Sequence, residues 1–253
     1  MPHPSTPATI IGSPVSPYVR KVLTACEMKG VAYRLDPIVP FFGDERFSQL
    51  NPLRRIPVFI DDEVSVSDST VICEYLEERY PAPALLPAGF ADRSRARWIE
   101  EFADTRMADV FLWRIFNEAV ISPVIWQKPR DKEKIARVVA EELPAVMDDV
   151  ERLAPAQNFL FGALSIADIA VAVLLQNLRW ARVVPDKDRW PKTMAWLERT
   201  SAEPALAKLS HVAEKLLQTP LEQQRSVVAE AGLALTEGSV AAAAPRRGPM
   251  TRE

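Results

Sequence analysis

The chain is poor in the residues that several kinds of chemistry require. It has two cysteines in 253 residues, Cys26 and Cys73, and no C-x-x-C pair. That argues against zinc sites of ordinary spacing and against a disulfide framework. It has two histidines, His3 near the start and His211 in a late helical stretch. A Ser-His-Asp hydrolase needs an imidazole held beside its nucleophile, and neither is a good candidate. No apolar run reaches the roughly 18 residues that a membrane span needs, so no membrane association is expected. Charge of one sign is lacking too. The 31 Lys and Arg against 34 Asp and Glu leave −3, so no attraction to nucleic acid is expected. The opening "MPHPSTPATIIG" has neither the basic nor the long apolar stretch of a signal peptide. A cytoplasmic protein is expected.

Apolar residues make up 48% and charged residues 26%, enough to build a core without staples. "ATII" (8–11) is a short β-branched run ended by Gly12, a strand signal. A helix follows, with Ser16 as N-cap, Pro17 at the first helical position and Gly30 as the stop. Val19, Val22, Leu23 and Cys26 share one face of it, and Arg20 and Lys21 are expected to face away. "VAYRLDPIV" (31–39) reads as a strand and 44–51 as a short helix. "IPVFIDDEVSVSD" (56–68) reads as two strands joined by a tight acidic turn. Residues 68–81 form a helix whose apolar positions are Val71, Ile72, Tyr75 and Leu76. A strand, a crossover helix and a second strand pair in parallel. With the hairpin, this predicts a small mixed sheet covered by helices.

"PAPALLPAG" (81–89) cannot continue a helix and reads as a linker. The rest is helical: 92–120, with Trp98 and Phe102 among its apolar positions, then 131–153 with a kink at Pro144. Residues 166–180, "IADIAVAVLLQNLRW", are nearly all apolar and predict the central buried helix of a bundle. Ser165 and Asp168 at its start make a capping-box pattern, a structural role. Two short helices over 190–209 and a last one within 223–233 are expected. Residues 237–253 are rich in Ala, Pro and Gly, and the reading expects them to be disordered and dispensable.

Five segments, in order, resemble the cytosolic glutathione transferases: "SPVSPYVRKV" (13–22), "NPLRRIPVFID" (51–61), "VSDSTVICEYLEERYP" (66–81), "LSIADIAVA" (164–172) and "WPKTMAWLERTSAEPA" (190–205). The resemblance implies an α/β thioredoxin-like N-terminal domain with a mixed four-stranded sheet over 8–80. A linker at 81–91, an all-α C-terminal helical bundle over 92–218 and a partly disordered tail at 219–253 complete the expected order. It implies glutathione as co-substrate, no metal, and a homodimer. It also implies a cis bond between Ile56 and Pro57, the backbone of Ile56 pairing with the ligand's cysteine. The family usually has glycine where this chain has Arg54; Arg55 is the candidate for the glycine carboxylate of glutathione.

The residues support such a site independently. "DS" at 68–69 opens a helix, whose free N–H groups and positive dipole end suit a carboxylate. The Asp68 carboxylate suits an amine, and the Ser69 hydroxyl adds a donor; the alternative is that these residues only cap the helix. A free thiol has a pKa near 8.5, so about 3% is thiolate at pH 7. A hydroxyl at a helix start favours the thiolate, and Ser13, Ser16 and, less suitably, Tyr18 are the candidates. Ser16 stands where glutaredoxin-like relatives carry a cysteine, and serine cannot form a mixed disulfide. Transfer of glutathione to a small apolar electrophile, a detoxification chemistry, is therefore the expected function. Met107, Phe111 and Arg114 are the candidates for the second-substrate pocket. The alternative is a non-catalytic, transferase-like protein-interaction module of the stringent-starvation type.

Overall fold

The structure is a computed structural model, and it describes residues 6–249. His3 and the last four residues of the tail lie outside the described residues. The chain divides into two units: residues 1–84 together with 204–253, and residues 85–203.

The first unit is built on a four-stranded mixed sheet in the order β2-β1-β3-β4. β1 (Ala8–Ile11) pairs in parallel with β2 (Tyr33–Asp36) through the crossover helix α1 (Pro17–Lys29). β3 (Val58–Ile60) runs antiparallel to β1, with Ile10 opposite Phe59, and makes a hairpin with β4 (Ser65–Ser67). α2 (Glu45–Leu50) is a single short turn capped by Asp44, and α3 (Ser69–Arg79) follows β4. The capping signals act as expected. Ser16 is the N-cap of α1 with Pro17 in the first turn, and Gly30 ends it at φ 65°.

Three expectations about exposed and buried faces fail. Arg20 and Lys21 are fully buried, because α1 is packed by both α3 and α10 (Pro204–Leu217). A helix enclosed on several sides has no solvent face to give its cations. They bond to internal oxygens instead. Lys21 donates to the Thr70 hydroxyl at 3.3 Å. Lys29 pairs with Glu77 at 2.7 Å and donates to the Tyr80 and Pro83 carbonyls. Val71, in contrast, is half exposed, while Ile72 and Leu76 of the same helix are buried. Trp98 is also exposed and stacks on Phe102.

The tail differs most from its expectation. α11 (Gln224–Glu230) forms as expected, but the described residues beyond it are not disordered. They lie along the free edge of β2 and across residues 41–48, with Leu235 opposite Leu35 and Ala241 opposite Gly43. The cause is backbone pairing, which side-chain periodicity does not reveal.

The second unit is helical. α4 (Phe90–Phe102) continues into a wider stretch, Ala103–Ile121, with i→i+5 bonding, such as Ser122 N–H to the Asn117 carbonyl. The helix runs on as α5 (Ser122–Trp126), past the end at 120 that the sequence predicted. α6 (Lys132–Glu141) and α7 (Leu143–Leu153) divide at Glu142, since Pro144 sits in the first turn of α7 and starts a helix rather than kinking one. α8 (Ile166–Trp180) is buried from Ile166 through Leu178 and is the centre of the unit; α9 (Pro191–Ser201) packs on it. At its start the Asp168 carboxylate accepts from the Ser165 N–H at 2.9 Å and hydroxyl at 2.6 Å, from Leu160 N–H at 3.0 Å and from Trp196 Nε1 at 2.8 Å. All four donors serve packing, so the structural reading of Asp168 holds.

Candidate functional site

Three loops of the first unit carry the residues of interest, and the packing around Gly12 joins two of them. Gly12 ends β1 at φ 145°, and a Cβ there would lie 2.6 Å from Val19 and 2.9 Å from the Ile56 Cβ. Only glycine lets the start of α1 and the Ile56 loop approach this closely.

In the turn after Gly12, Ser13 N–H donates to the Ile38 carbonyl at 2.7 Å and Ser16 N–H to the Ser13 carbonyl at 3.0 Å. The two serines differ in access. Ser13 is 2% exposed, whereas Ser16 is partly exposed at the N-terminus of α1. Each side-chain oxygen accepts a backbone bond, Ser13 from Val15 and Ser16 from Val19, both at 3.4 Å. A hydroxyl that accepts still has its own proton to donate. Capping by Ser16 therefore does not consume its capacity to serve a thiolate. Arg20 reaches back under this turn and donates to the Pro14 carbonyl at 2.8 Å and the Val15 carbonyl at 2.9 Å. Burial pulls its guanidinium down to about 9, with Glu214 acting against that, so it remains a cation at neutral pH. The sequence reading missed Arg20; only tertiary enclosure of α1 turns it inward. Burial pushes the Cys26 thiol up, which makes it a core residue rather than a nucleophile.

In the second loop the Ile56–Pro57 bond is cis. Asn51 organises the approach to it, donating from Nδ2 to the Arg55 carbonyl at 2.8 Å and accepting from Leu53 N–H at 3.0 Å. Arg54 lies at φ 52°, the left-handed region, which suits the glycine that the resemblance implies at this position. Its guanidinium holds the Gly43 carbonyl at 2.7 Å, Ser48 Oγ at 2.5 Å and the Asp44 carbonyl at 3.4 Å. Arg54 is thus occupied within its own loop, and Arg55 is exposed.

At the third loop Asp68 is held at φ 84°, a region that a side-chain-bearing residue rarely adopts. Its carboxylate caps α3, accepting from Thr70 N–H at 2.9 Å and Val71 N–H at 3.2 Å. Both bonds end on Oδ1. The second oxygen is left at an exposed residue, beside the N-terminus of an 11-residue helix whose first residue is the buried Ser69. The cap and a ligand contact are therefore compatible.

The remaining candidates lie in the helical unit. Met107 and Phe111 are fully buried in the wide helical stretch. Arg114 is bound to Asp109 at 3.0 Å and Glu142 at 3.2 Å. Among the described residues, no group of three or more His, Cys, Asp or Glu is placed to hold a metal ion, and no helix is long and apolar enough to cross a membrane.

The chain matches the model of the glutathione S-transferase N-terminal domain over residues 10–84 and that of the C-terminal domain over 116–210. It is 31% identical to the uncharacterized GST-like protein YibF of Escherichia coli (strain K12), over 70% of this chain and 84% of that one. It is 38% identical to a stringent starvation protein A homolog of Haemophilus ducreyi, over only 32% of this chain and 37% of that one. Its fold resembles that of a glutathione S-transferase from Rhodospirillum rubrum F11, with TM-score 0.73 and 26% identity over 80% of this chain and 91% of that one. It also resembles a glutathione S-transferase from Methylobacterium radiotolerans solved with glutathione sulfonate, with TM-score 0.66 and 25% identity over 81% and 95%. With both domain models matched in order on a thioredoxin-like sheet and a helical unit, the chain belongs to the glutathione S-transferase family.

Proposed function

We propose that this protein binds glutathione along the three loops and activates its thiol for transfer to a small apolar electrophile. The observation that carries this reading is Asp68. A non-glycine residue at φ 84° is strained by about 1–3 kcal/mol, and such strain collects at ligand sites. Here it holds a carboxylate oxygen beside a helix N-terminus. The oxygen suits the γ-glutamyl amine, and the α3 N–H end with Ser69 suits the adjoining carboxylate. Ile56 is assigned to the ligand's cysteine backbone and Arg55 to its glycine carboxylate.

Ser16 is the assigned thiolate donor, because it is the accessible hydroxyl of the two and lies at the positive end of α1. Lowering the thiol pKa by two units requires about 2.7 kcal/mol of selective stabilisation. A hydroxyl donor, the helix terminus and the Arg20 cation beneath the turn together supply it. In the reaction the thiolate sulfur forms a bond to the electrophilic carbon. The leaving group departs with its electron pair, and the thiol proton has already gone to solvent.

Retention on immobilised glutathione followed by turnover of chlorodinitrobenzene tests the proposal. Asp68→Asn is the informative variant, since Asn keeps the cap and tolerates positive φ. It should weaken glutathione by about 1.5–3 kcal/mol, the range for a charge-assisted hydrogen bond. Equal calorimetric affinities would remove Asp68 from the site. The partial likeness to a stringent starvation protein favours a second reading, a non-catalytic interaction module. Glutathione binding without turnover across a panel of electrophiles would select it.

A further inference from the structure

The C-terminal segment lies beyond residue 210, where the match to the family's C-terminal model ends, and its contacts converge on β2 and on residues 41–48, which Arg54 of the proposed site also holds. It first extends the sheet: Leu35 N–H donates to the Ala234 carbonyl at 2.8 Å, and Thr236 N–H returns to the Leu35 carbonyl at 3.2 Å. Asp36, 2% exposed at the end of β2, then gathers three donors. These are Arg225 Nη1 at 2.9 Å, the Ser239 hydroxyl at 2.8 Å and Val240 N–H at 2.8 Å. Beyond that latch the segment bonds to the backbone before α2. Asp44 N–H donates to the Val240 carbonyl at 2.8 Å, Ala242 N–H to Phe42 at 2.5 Å and Arg246 N–H to Phe41 at 2.8 Å.

The Arg246 guanidinium ends on Ser48 Oγ at 2.7 Å, the Asp44 carbonyl at 3.3 Å and Glu45 at 3.2 Å. Ser48 Oγ and the Asp44 carbonyl are the groups that Arg54 also holds. Residues 43–48 are thus clasped between Arg54, within the site's own loop, and Arg246, from the C-terminal segment. Gly248 lies close enough to Arg54 that an added Cβ would meet its Cβ at 3.1 Å.

We propose that residues 233–248 are a positioning strap for the glutathione loop. Latched at Asp36 and closed by Arg246, the strap keeps residues 41–54 in one conformation. Through Arg54 and Asn51 that order passes to Arg55 and Ile56. The physical need is plain. α2 has six residues, too few to persist as an isolated helix, and loops with few partners open locally at little cost. A ligand that has to order its own site binds more weakly than one that meets it already formed. The ligand half of this proposal rests on the glutathione reading; the strap half does not.

The test uses the full chain in two forms. Asp36→Ala removes the latch, and Val240→Pro with Arg246→Ala acts only within the strap. Amide exchange is followed by mass spectrometry, and glutathione affinity by calorimetry. In both forms the amides of 233–248 should exchange as open chain. Those of Phe47, Asn51 and Arg54 should exchange about tenfold faster, while α8 is unchanged. The glutathione Kd should rise about tenfold in both. Open exchange at 233–248 with wild-type protection at 44–54 would overturn the proposal. So would loosened 44–54 amides with unchanged affinity, or a strap that stays protected in both forms. If the wild type binds no glutathione, the functional reading fails, and the exchange data alone decide the strap.

Discussion

At the residue scale, the two serines of the β1–α1 turn are separated by access and by what mutation should do. Ser16→Ala removes a cap, so it should cost about 0.5–2 kcal/mol of stability. If Ser16 also serves the thiolate, the absorbance of bound thiolate should titrate at higher pH, and the rate should fall about tenfold for each 1.36 kcal/mol lost. Ser13→Ala is the parallel measurement; a raised thiol pKa in that variant alone would transfer the role to Ser13. Arg20→Met should release the Pro14 and Val15 carbonyls. We expect slower turnover and a raised thiol pKa with little change in glutathione affinity, and Arg20→Lys should recover part of both. The serines were legible in the sequence because capping chemistry is local. Arg20 was not, since its role depends on α3 and α10 closing around α1. The positive φ of Arg54 was half legible, as a departure from glycine whose compensating bonds are made by a side chain reaching 11 residues back.

At the element scale, the β3–β4 hairpin is tied to α3 by one buried carboxylate. Asp61 accepts from Glu63 N–H and Val64 N–H at 2.9 Å, from the Tyr75 hydroxyl at 2.7 Å and from Arg79 at 3.3 Å. Burial alone would raise its pKa, but the Tyr75 hydroxyl, the two amides and Arg79 outweigh it and hold the carboxyl below its usual range. The same burial and the same bond push Tyr75 up to about 12. A depressed carboxylate pKa stabilises the fold above the unfolded value of about 3.9, and that contribution is lost as pH falls through the folded value. Melting temperature against pH should therefore fall on the acid side, and Asp61→Asn should flatten that limb while lowering neutral stability by about 1–3 kcal/mol. The sequence predicted the hairpin, its acidic turn and α3, all of which rest on local pattern. It did not predict the strap. Bonds from Ala234 to Leu35 or from Arg246 to Phe41 span about 200 positions, and their backbone groups leave no periodicity in the side chains.

At the scale of the whole molecule, the order of sheet and helical bundle was readable because each carries its own repeat of apolar positions. We expect a homodimer, as the family resemblance implies. Sedimentation at micromolar concentration should give twice the chain mass of 28.3 kDa, and a single-chain mass would contradict it. The discontinuity of the first unit was not readable. Residues 204–253 belong with residues 1–84, although a complete helical unit lies between them in the chain. On the ribosome, this reverses the usual order of completion. The edge of β2 and the backbone of residues 41–44 wait for partners that lie about 200 positions further along the chain. A stop between residues 204 and 233 would therefore damage the beginning of the protein and spare its middle.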